Sequence, residues 1–193
     1  MRIINLKRTI IIFLMIGIIA VVPGCVRWPD GSEGEPEETD YLLRITVKVA
    51  GQITPLEGKY YIILDTDGNS IDGPDYDMAY WEDDFYYVAL DEWGFIFTKV
   101  EEGSTSMTLN SKSWSDDTLQ VTIALSKLED PDSIDINVVT TDSDDETYYD
   151  YLDDYFTIDT TLYQTAEGDT EGGPEEGGAN FNITEVTAEI ISY

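Results

Sequence analysis

The chain has 193 residues, of which 42% are hydrophobic and 12% aromatic, a composition that supports one domain with a buried core. Its 40 acidic residues outnumber 10 basic ones, so the formal net charge is −30. A surface with that charge repels nucleic acid and anionic lipid headgroups and attracts cations, which excludes nucleic-acid binding.

The first 24 residues have the pattern of a secretory signal peptide. Three basic residues lie in MRIINLKR, and TIIIFLMIGIIAVV follows as an apolar run of 14 residues. A membrane-spanning helix needs about 20 apolar residues, so this run is short for an uncleaved anchor, which is the alternative. Without the segment 1–24, 7 bases face 40 acids and the net charge becomes −33.

Cys25 is the only cysteine, so no intrachain disulfide can form. Its context, Val22-Pro23-Gly24-Cys25, resembles the lipobox of bacterial lipoproteins, although proline replaces the usual alanine or serine at minus two. The resemblance implies that Cys25 is diacylated and anchors the mature chain on the extracytoplasmic face of the cell membrane. Residues 25–40 are rich in Gly, Pro and acids, which predicts a flexible acidic tether.

From Tyr41 onward the hydrophobic pattern has period two, which predicts strands. In YLLRITVKV the apolar residues alternate with Arg44, Thr46 and Lys48. Further strands are predicted at 59–65, 76–81, 84–90, 94–100, 105–110, 118–125, 134–139 and 181–193, the last of which is expected to return and pair within the sheet. Residues 126–129 have the pattern of a single helical turn, with Ser126 as its cap.

Many short strands with almost no helix predict an all-β fold, an antiparallel, jelly-roll-like β-sandwich of roughly 8–10 strands over residues 41–193. The segment 84–90 is apolar on both faces, so a covering layer is expected on each side. Residues 143–155 fit a loop, a short helix or an edge strand. The segment 167–178, EGDTEGGPEEGG, is predicted to form a low-complexity acidic loop.

Residues 65–77, DTDGNSIDGPDYD, concentrate acidic side chains in one turn. Two carboxylates about 4 Å apart repel by about 1 kcal/mol in water and about 4 kcal/mol near a protein surface, so the side chains splay, protonate or share a cation. Calcium prefers oxygen ligands, and Gly68 allows a tight turn. The predicted calcium ligands are Asp65, Asp67, Asn69, Asp72, Asp75 and Asp77.

Two further observations bear on this calcium prediction. The pattern differs from an EF-hand, because Gly68 is at the fourth loop position and Tyr76 is at the twelfth. The alternative is a solvated turn whose aspartates form Asx turns. A second acidic cluster at 142–146 lacks the glycine and is the weaker candidate.

The order of several motifs resembles the β-sandwich superfamily that includes family-nine carbohydrate-binding modules and DOMON-like domains. The motifs are Asp65-Thr66-Asp67, Gly73, Asp75-Tyr76, the turn at 126–128 and the strand end at 138–142. The resemblance implies extracytoplasmic binding, of sugar in some members and haem in others, with structural calcium in some.

The chain has no histidine to ligate haem, and sugar binding requires exposed aromatic rings. The candidate rings are Trp81, Trp93 and Trp114, and the alternative is that these rings belong to the core.

These observations predict a non-catalytic, membrane-tethered lipoprotein whose calcium-stabilised sandwich binds an extracellular ligand, with glycans as the candidate class. The alternative is a structural subunit of the cell envelope that binds partner proteins and no small molecule. Catalysis is disfavoured because the chain has no histidine to pair with serine, no Gly-rich phosphate loop and no carboxylate pair marked by its spacing.

Overall fold

Alternating apolar side chains from two antiparallel sheets meet in the core of this protein. The computed structural model describes residues 41–69, 71, 73–170 and 176–192. The predicted signal peptide 1–24, Cys25, the tether 25–40 and Asp72 lie outside the described residues.

Eleven strands and two short 3-10 helices occur in the described part of the chain. The strands are β1 Tyr41–Val49, β2 Gly58–Asp65, β3 Tyr86–Asp91, β4 Gly94–Lys99, β5 Ser111–Ser115, β6 Thr118–Ala124, β7 Ser133–Asp142, β8 Tyr148–Tyr151, β9 Phe156–Asp159, β10 Thr165–Gly168 and β11 Ile183–Ser192. The 3-10 helices are Met78–Tyr80 and Leu125–Leu128. The predicted all-β fold is confirmed.

The strands form two sheets. One has the order β10-β11-β1-β6-β5, and the other has the order β4-β3-β2-β7-β8, with β9 also paired to β7. The C-terminal strand β11 lies beside β1 with antiparallel pairing, so the expectation that the last segment returns to the sheet is confirmed.

The core lies between the sheets and follows the period-two pattern. On β1, Leu43, Ile45 and Val47 are fully buried, and they cluster with Ile62 of β2 and Val138 of β7. Burying an aliphatic side chain of this size stabilises the fold by about 1.5–3 kcal/mol. A one-residue slip would turn these side chains outward, so the pattern also fixes the register.

A second apolar layer covers the outer face of the sheet that contains β2. Tyr61, Ile63 and Val139 point to this face and are still buried. The covering side chains come from segment 76–81 and from β8, and they are Tyr76, Met78, Trp81, Tyr148 and Tyr151. The expected layer on this second face is therefore present.

The structure corrects two predicted strands. Segment 76–81 contains the 3-10 helix Met78–Tyr80, capped by the Asp77 carboxylate, which accepts a hydrogen bond from the Ala79 N–H at 2.9 Å. Tyr76, Met78 and Trp81 pack on the outer face of the sheet, so the segment is rich in apolar residues although it pairs with no strand. Segment 105–110 crosses between the sheets and forms single hydrogen bonds from Met107 to Phe97 and from Asn110 to Thr122, so it joins no ladder.

Other differences concern short elements. Strands β5, β9 and β10 were not predicted, and β10 includes the first two residues of the predicted loop 167–178. The predicted helical turn is present as Leu125–Leu128, but Ser126 lies inside it and Ala124 occupies the N-cap without a side-chain hydrogen bond. Within 143–155, the edge-strand alternative is correct for Tyr148–Tyr151.

Buried Asp150 on β8 connects the two sheets. One carboxylate oxygen accepts a hydrogen bond from the Ile183 N–H at the start of β11 at 2.6 Å, and the other accepts one from the Tyr151 N–H at 2.9 Å. Thr140 on β7 donates to the Phe181 carbonyl at 2.9 Å and strengthens the same junction.

Replacing Asp150 by alanine should destabilise the protein by about 1–3 kcal/mol, because the buried Ile183 N–H would lose its acceptor. Urea unfolding of the Asp150→Ala variant measures this change. Asp153→Ala, which removes an exposed carboxylate from the neighbouring turn, is the matched control. Equal unfolding midpoints for the two variants would contradict the role assigned to Asp150.

Candidate functional site

The turn between β3 and β4 carries an exposed tryptophan. Asp91 pairs with Gly94 across a two-residue turn, and the Asp91 carboxylate accepts a hydrogen bond from the Trp93 N–H at 2.8 Å. Gly94 has φ +106°, in the region that favours glycine, so the turn closes without strain. The Trp93 side chain at the tip is 86% exposed and contributes nothing to the core.

A second tryptophan lies on β5, the edge strand of the other sheet. Trp114 is 44% exposed, and its ring meets the ring of Phe95 on β4 edge-on, with 5.5 Å between centroids. The Lys112 ammonium lies 5.7 Å from the centroid of the same Phe95 ring. These contacts hold the Trp114 indole in place while leaving part of it open to solvent.

Trp93 and Trp114 line one open groove of about 500 Å³. Pro55 and Leu56, from the loop between β1 and β2, complete its apolar wall, and Leu56 is itself 78% exposed. Three elements from both sheets therefore place apolar side chains around one groove, which we call the tryptophan groove.

A second depression of about 340 Å³ adjoins the tryptophan groove and shares Leu56 and Trp93 with it. Lys59 and Asp144 also line this depression. The Lys59 ammonium forms an ion pair with Asp145. The Asp145 carboxylate also accepts hydrogen bonds from Tyr61 and Thr141. In the predicted acidic cluster at 142–146, Asp145 therefore has a structural role.

The structure places Trp81 apart from the tryptophan groove. Its ring contacts those of Tyr61 and Tyr87, with centroids 5.6 and 5.9 Å away, and its indole N–H donates to the Asp75 carbonyl at 2.9 Å. Trp81 therefore belongs to the layer that covers the sheet, as the core alternative predicts for this ring. Of the three candidate tryptophans, two share a groove and one packs elsewhere.

Residues 65–77, which we call the aspartate turn, contain three Asx turns. The Asp65 carboxylate accepts a hydrogen bond from the Asp67 N–H at 2.9 Å, and the Asp67 carboxylate accepts one from the Asn69 N–H at 2.5 Å. Asp75 accepts one from the Asp77 N–H at 2.8 Å. Across the described residues, no group of three or more His, Cys, Asp or Glu side chains is arranged to hold a metal ion.

Asp65 is the buried member of this turn. It lies at the end of β2 opposite Asp135 and is only 3% exposed. The pKa of Asp65 is raised to about 6, chiefly by burial, while the hydrogen bond from the Asp67 N–H lowers it and the charges of Asp67, Asp135 and Asp84 contribute to the rise.

Comparison with protein-family models, curated proteins and solved structures gave no match. The resemblance to family-nine carbohydrate-binding modules and DOMON-like domains therefore stays a prediction. In the part of the chain that the structure describes, no helix is long and apolar enough to span a membrane.

The raised pKa of Asp65 predicts how stability depends on pH when calcium is removed by chelator. Between about pH 4 and about pH 6 the folded state binds more protons than the unfolded state, so the free energy of unfolding should fall as pH rises through this window. Asp65→Asn keeps an oxygen for the Asp67 N–H and should remove this contribution.

Urea unfolding at several pH values measures this effect, with Asp83→Asn, an exposed aspartate, as the control. The account of Asp65 is contradicted if the Asp65→Asn variant keeps the full pH dependence of the unmodified protein.

Proposed function

We propose that this protein is a non-catalytic, membrane-tethered lipoprotein whose β-sandwich binds a glycan in the tryptophan groove. The observation that carries the proposal is the convergence of Trp93 and Trp114, two exposed indoles from different sheets, on one open groove. A pyranose ring presents C–H groups on its face, and these pack well against an indole, while its hydroxyls reach polar groups at the rim.

The position of Trp93 supports a binding role. A tryptophan at the tip of a two-residue turn gains no core burial, and Trp93 joins Leu56 and Trp114 in an exposed apolar patch of the kind that marks binding sites. Loop tips on a rigid scaffold are where binding residues concentrate. The Trp114 ring packs against Phe95, whereas the Trp93 ring on the other side of the groove is almost fully exposed.

The size of the site supports an oligosaccharide. The tryptophan groove of about 500 Å³ falls in the range of about 300–1,000 Å³ that is typical of small-molecule sites. The adjoining depression of about 340 Å³ continues past Leu56 and Trp93, so a chain of sugar rings can lie across both.

The tether is the second part of the proposal. The signal-like segment 1–24, the lipobox-like context of Cys25 and the acidic linker 25–40 support a lipid-anchored domain on the extracytoplasmic face of the membrane. A domain in that position meets envelope and environmental glycans.

Calcium at the aspartate turn is the third part. Each Asx turn uses one oxygen of its carboxylate, and a carboxylate has two, so Asp65, Asp67 and Asp75 keep acceptor capacity for a cation. A divalent ion would also relieve the repulsion that Asp67 and Asp135 exert on buried Asp65.

Trp93→Ala and Trp114→Ala should each weaken glycan binding by about tenfold or more, because each removes a stacking surface. Isothermal titration calorimetry of the full chain in detergent, against neutral oligosaccharides such as cellohexaose and xylohexaose, measures the affinities. Trp93→Ala should leave the free energy of unfolding within about 0.5 kcal/mol.

Tyr80→Ala is the matched control, because Tyr80 is a 69% exposed aromatic residue outside the groove. The proposal fails if the chain binds no glycan, whether neutral, cationic or anionic, or if Trp93→Ala and Tyr80→Ala bind equally well.

Millimolar calcium should raise the melting temperature, and chelator should reverse the rise, because a ligand that binds only the folded state stabilises it. The double variant Asp65→Ala, Asp67→Ala should lose this response. The double variant Asp116→Asn, Asp117→Asn removes two exposed acids from the β5–β6 turn of the other sheet and should keep it. If neither calcium nor chelator changes the melting temperature, the calcium site is contradicted and the solvated-turn alternative is supported.

A further inference from the structure

We infer that the tryptophan groove selects a glycan that carries protonated amines, a glucosamine polymer, over neutral and anionic glycans. The inference rests on the proposed function and adds the charge of its ligand. Its basis is the distribution of ionisable groups around the two exposed indoles.

The charged residues that line the tryptophan groove are all acids. Glu57, Asp91 and Glu92 line it, and Asp144 extends the acidic rim into the adjoining depression. Glu57 and Glu92 are exposed and lie next to the apolar wall of Pro55 and Leu56. A ligand that crosses both depressions therefore meets four carboxylates.

Basic side chains on the domain are already engaged by protein groups. Six basic residues occur from residue 41 onward, and all six are described. Each contacts a protein partner: Arg44 with Glu189, Lys48 with Glu185, Lys59 with Asp145, Lys99 with Glu129, Lys112 with the Phe95 ring and Lys127 with Asn110. Lys59 is the one base at the adjoining depression, and its charge is compensated by Asp145. A uronic acid or sulfated glycan would find acids in both depressions and, among the residues that line them, a single base that Asp145 already pairs.

The exposed indole adds a second attraction for a cation. An ammonium within about 6 Å of the face of a tryptophan ring is attracted by the electrons of the ring. Trp93 follows Asp91 and Glu92 in the same turn, and all three residues line the groove. A sugar with an amine on its ring can stack on the indole and direct its charge to these carboxylates.

Glucosamine polymers fit these demands better than other glycans. Each ring keeps the apolar face needed for stacking and replaces one hydroxyl by an amine, so a chain across both depressions presents several positive charges at regular spacing. The net charge of −33 without residues 1–24 adds long-range attraction for such a chain.

The test compares oligosaccharides that share one ring and linkage and differ in the group at C2, which is charged only in glucosamine. The β-1,4-linked hexamers of glucosamine, N-acetylglucosamine and glucose are titrated into the full chain in detergent, at mildly acidic pH and low salt. An oligogalacturonate serves as the anionic counterpart. The glucosamine hexamer should bind at least tenfold more tightly than the two neutral hexamers, and added salt should reduce this difference.

Variants of the acids that line the groove then test whether these acids cause the preference for the glucosamine hexamer. The double variant Glu57→Gln, Glu92→Gln should bring the ratio of the affinity for the glucosamine hexamer to the affinity for the neutral hexamers close to one. The double variant Glu101→Gln, Glu102→Gln removes the same charge from an exposed loop at the far end of β4 and should keep the preference. This control separates the rim from the net charge of the protein.

Equal binding of all three hexamers would overturn the charge preference and leave the proposed function standing, whereas no binding of any oligosaccharide would overturn both. Retained preference in Glu57→Gln, Glu92→Gln would also overturn the inference. Finally, oligolysine that binds as tightly as the glucosamine hexamer and competes with it would identify a basic peptide as the ligand and overturn the glycan assignment.

Discussion

Packing between the inner faces of the two sheets is the interaction on which the rest of the structure depends. Residues such as Ile45, Ile62 and Val138 are buried only in one register, so the core fixes which side chains of every strand face outward. It also fixes where the turns at the sheet ends lie. The loop between β1 and β2, the tip of the β3–β4 turn and the edge strand β5 meet at one such place, where they form the tryptophan groove.

Aromatic residues on the outer face of the β2 sheet have a structural role that the exposed aromatic residue at the β3–β4 turn lacks. The outer face carries Tyr61 and Val139, which need a cover, and segment 76–81 supplies it with Trp81. The aspartate turn precedes this segment, and its Asx turns shape the chain between strand and cover. Trp93 has no comparable duty, because no sheet face lies beneath the tip of its turn. Trp81 and Trp93 therefore differ in role because Trp81 lies over a sheet face and Trp93 lies at the tip of a turn.

Much of the fold could be predicted from the sequence, because long strands carry a period-two pattern. The limits of β1 match the prediction, and β2, β3, β4 and β6 differ from it by one or two residues. The strand predicted at 76–81 was wrong because this segment is rich in apolar and aromatic side chains that cover the sheet instead of pairing with it. Strand β5, with the sequence SKSWS, has no apolar alternation, since it is exposed along its whole length. Its position at the edge follows from pairing with β6, which no local pattern encodes.

The candidate site was only partly accessible to sequence reasoning. Trp93 and Trp114 could be identified as candidates, but their convergence depends on two sheets meeting at one end, which their spacing does not reveal. A usable signal was the Asp-Glu-Trp-Gly sequence between two strands, because a two-residue turn leaves its middle residues outside the core. The covering role of Trp81 had no such signal, because it depends on the outer sheet face on which this partly buried ring packs.

The most direct test of the central claim, that the tryptophan groove is the binding site, is amide hydrogen exchange of the full chain with and without its tightest-binding oligosaccharide. The account predicts slower exchange at 54–57, 92–94 and 111–115, with no change at 76–81. Protection confined to 65–81, or to any surface that excludes Trp93 and Trp114, would contradict it.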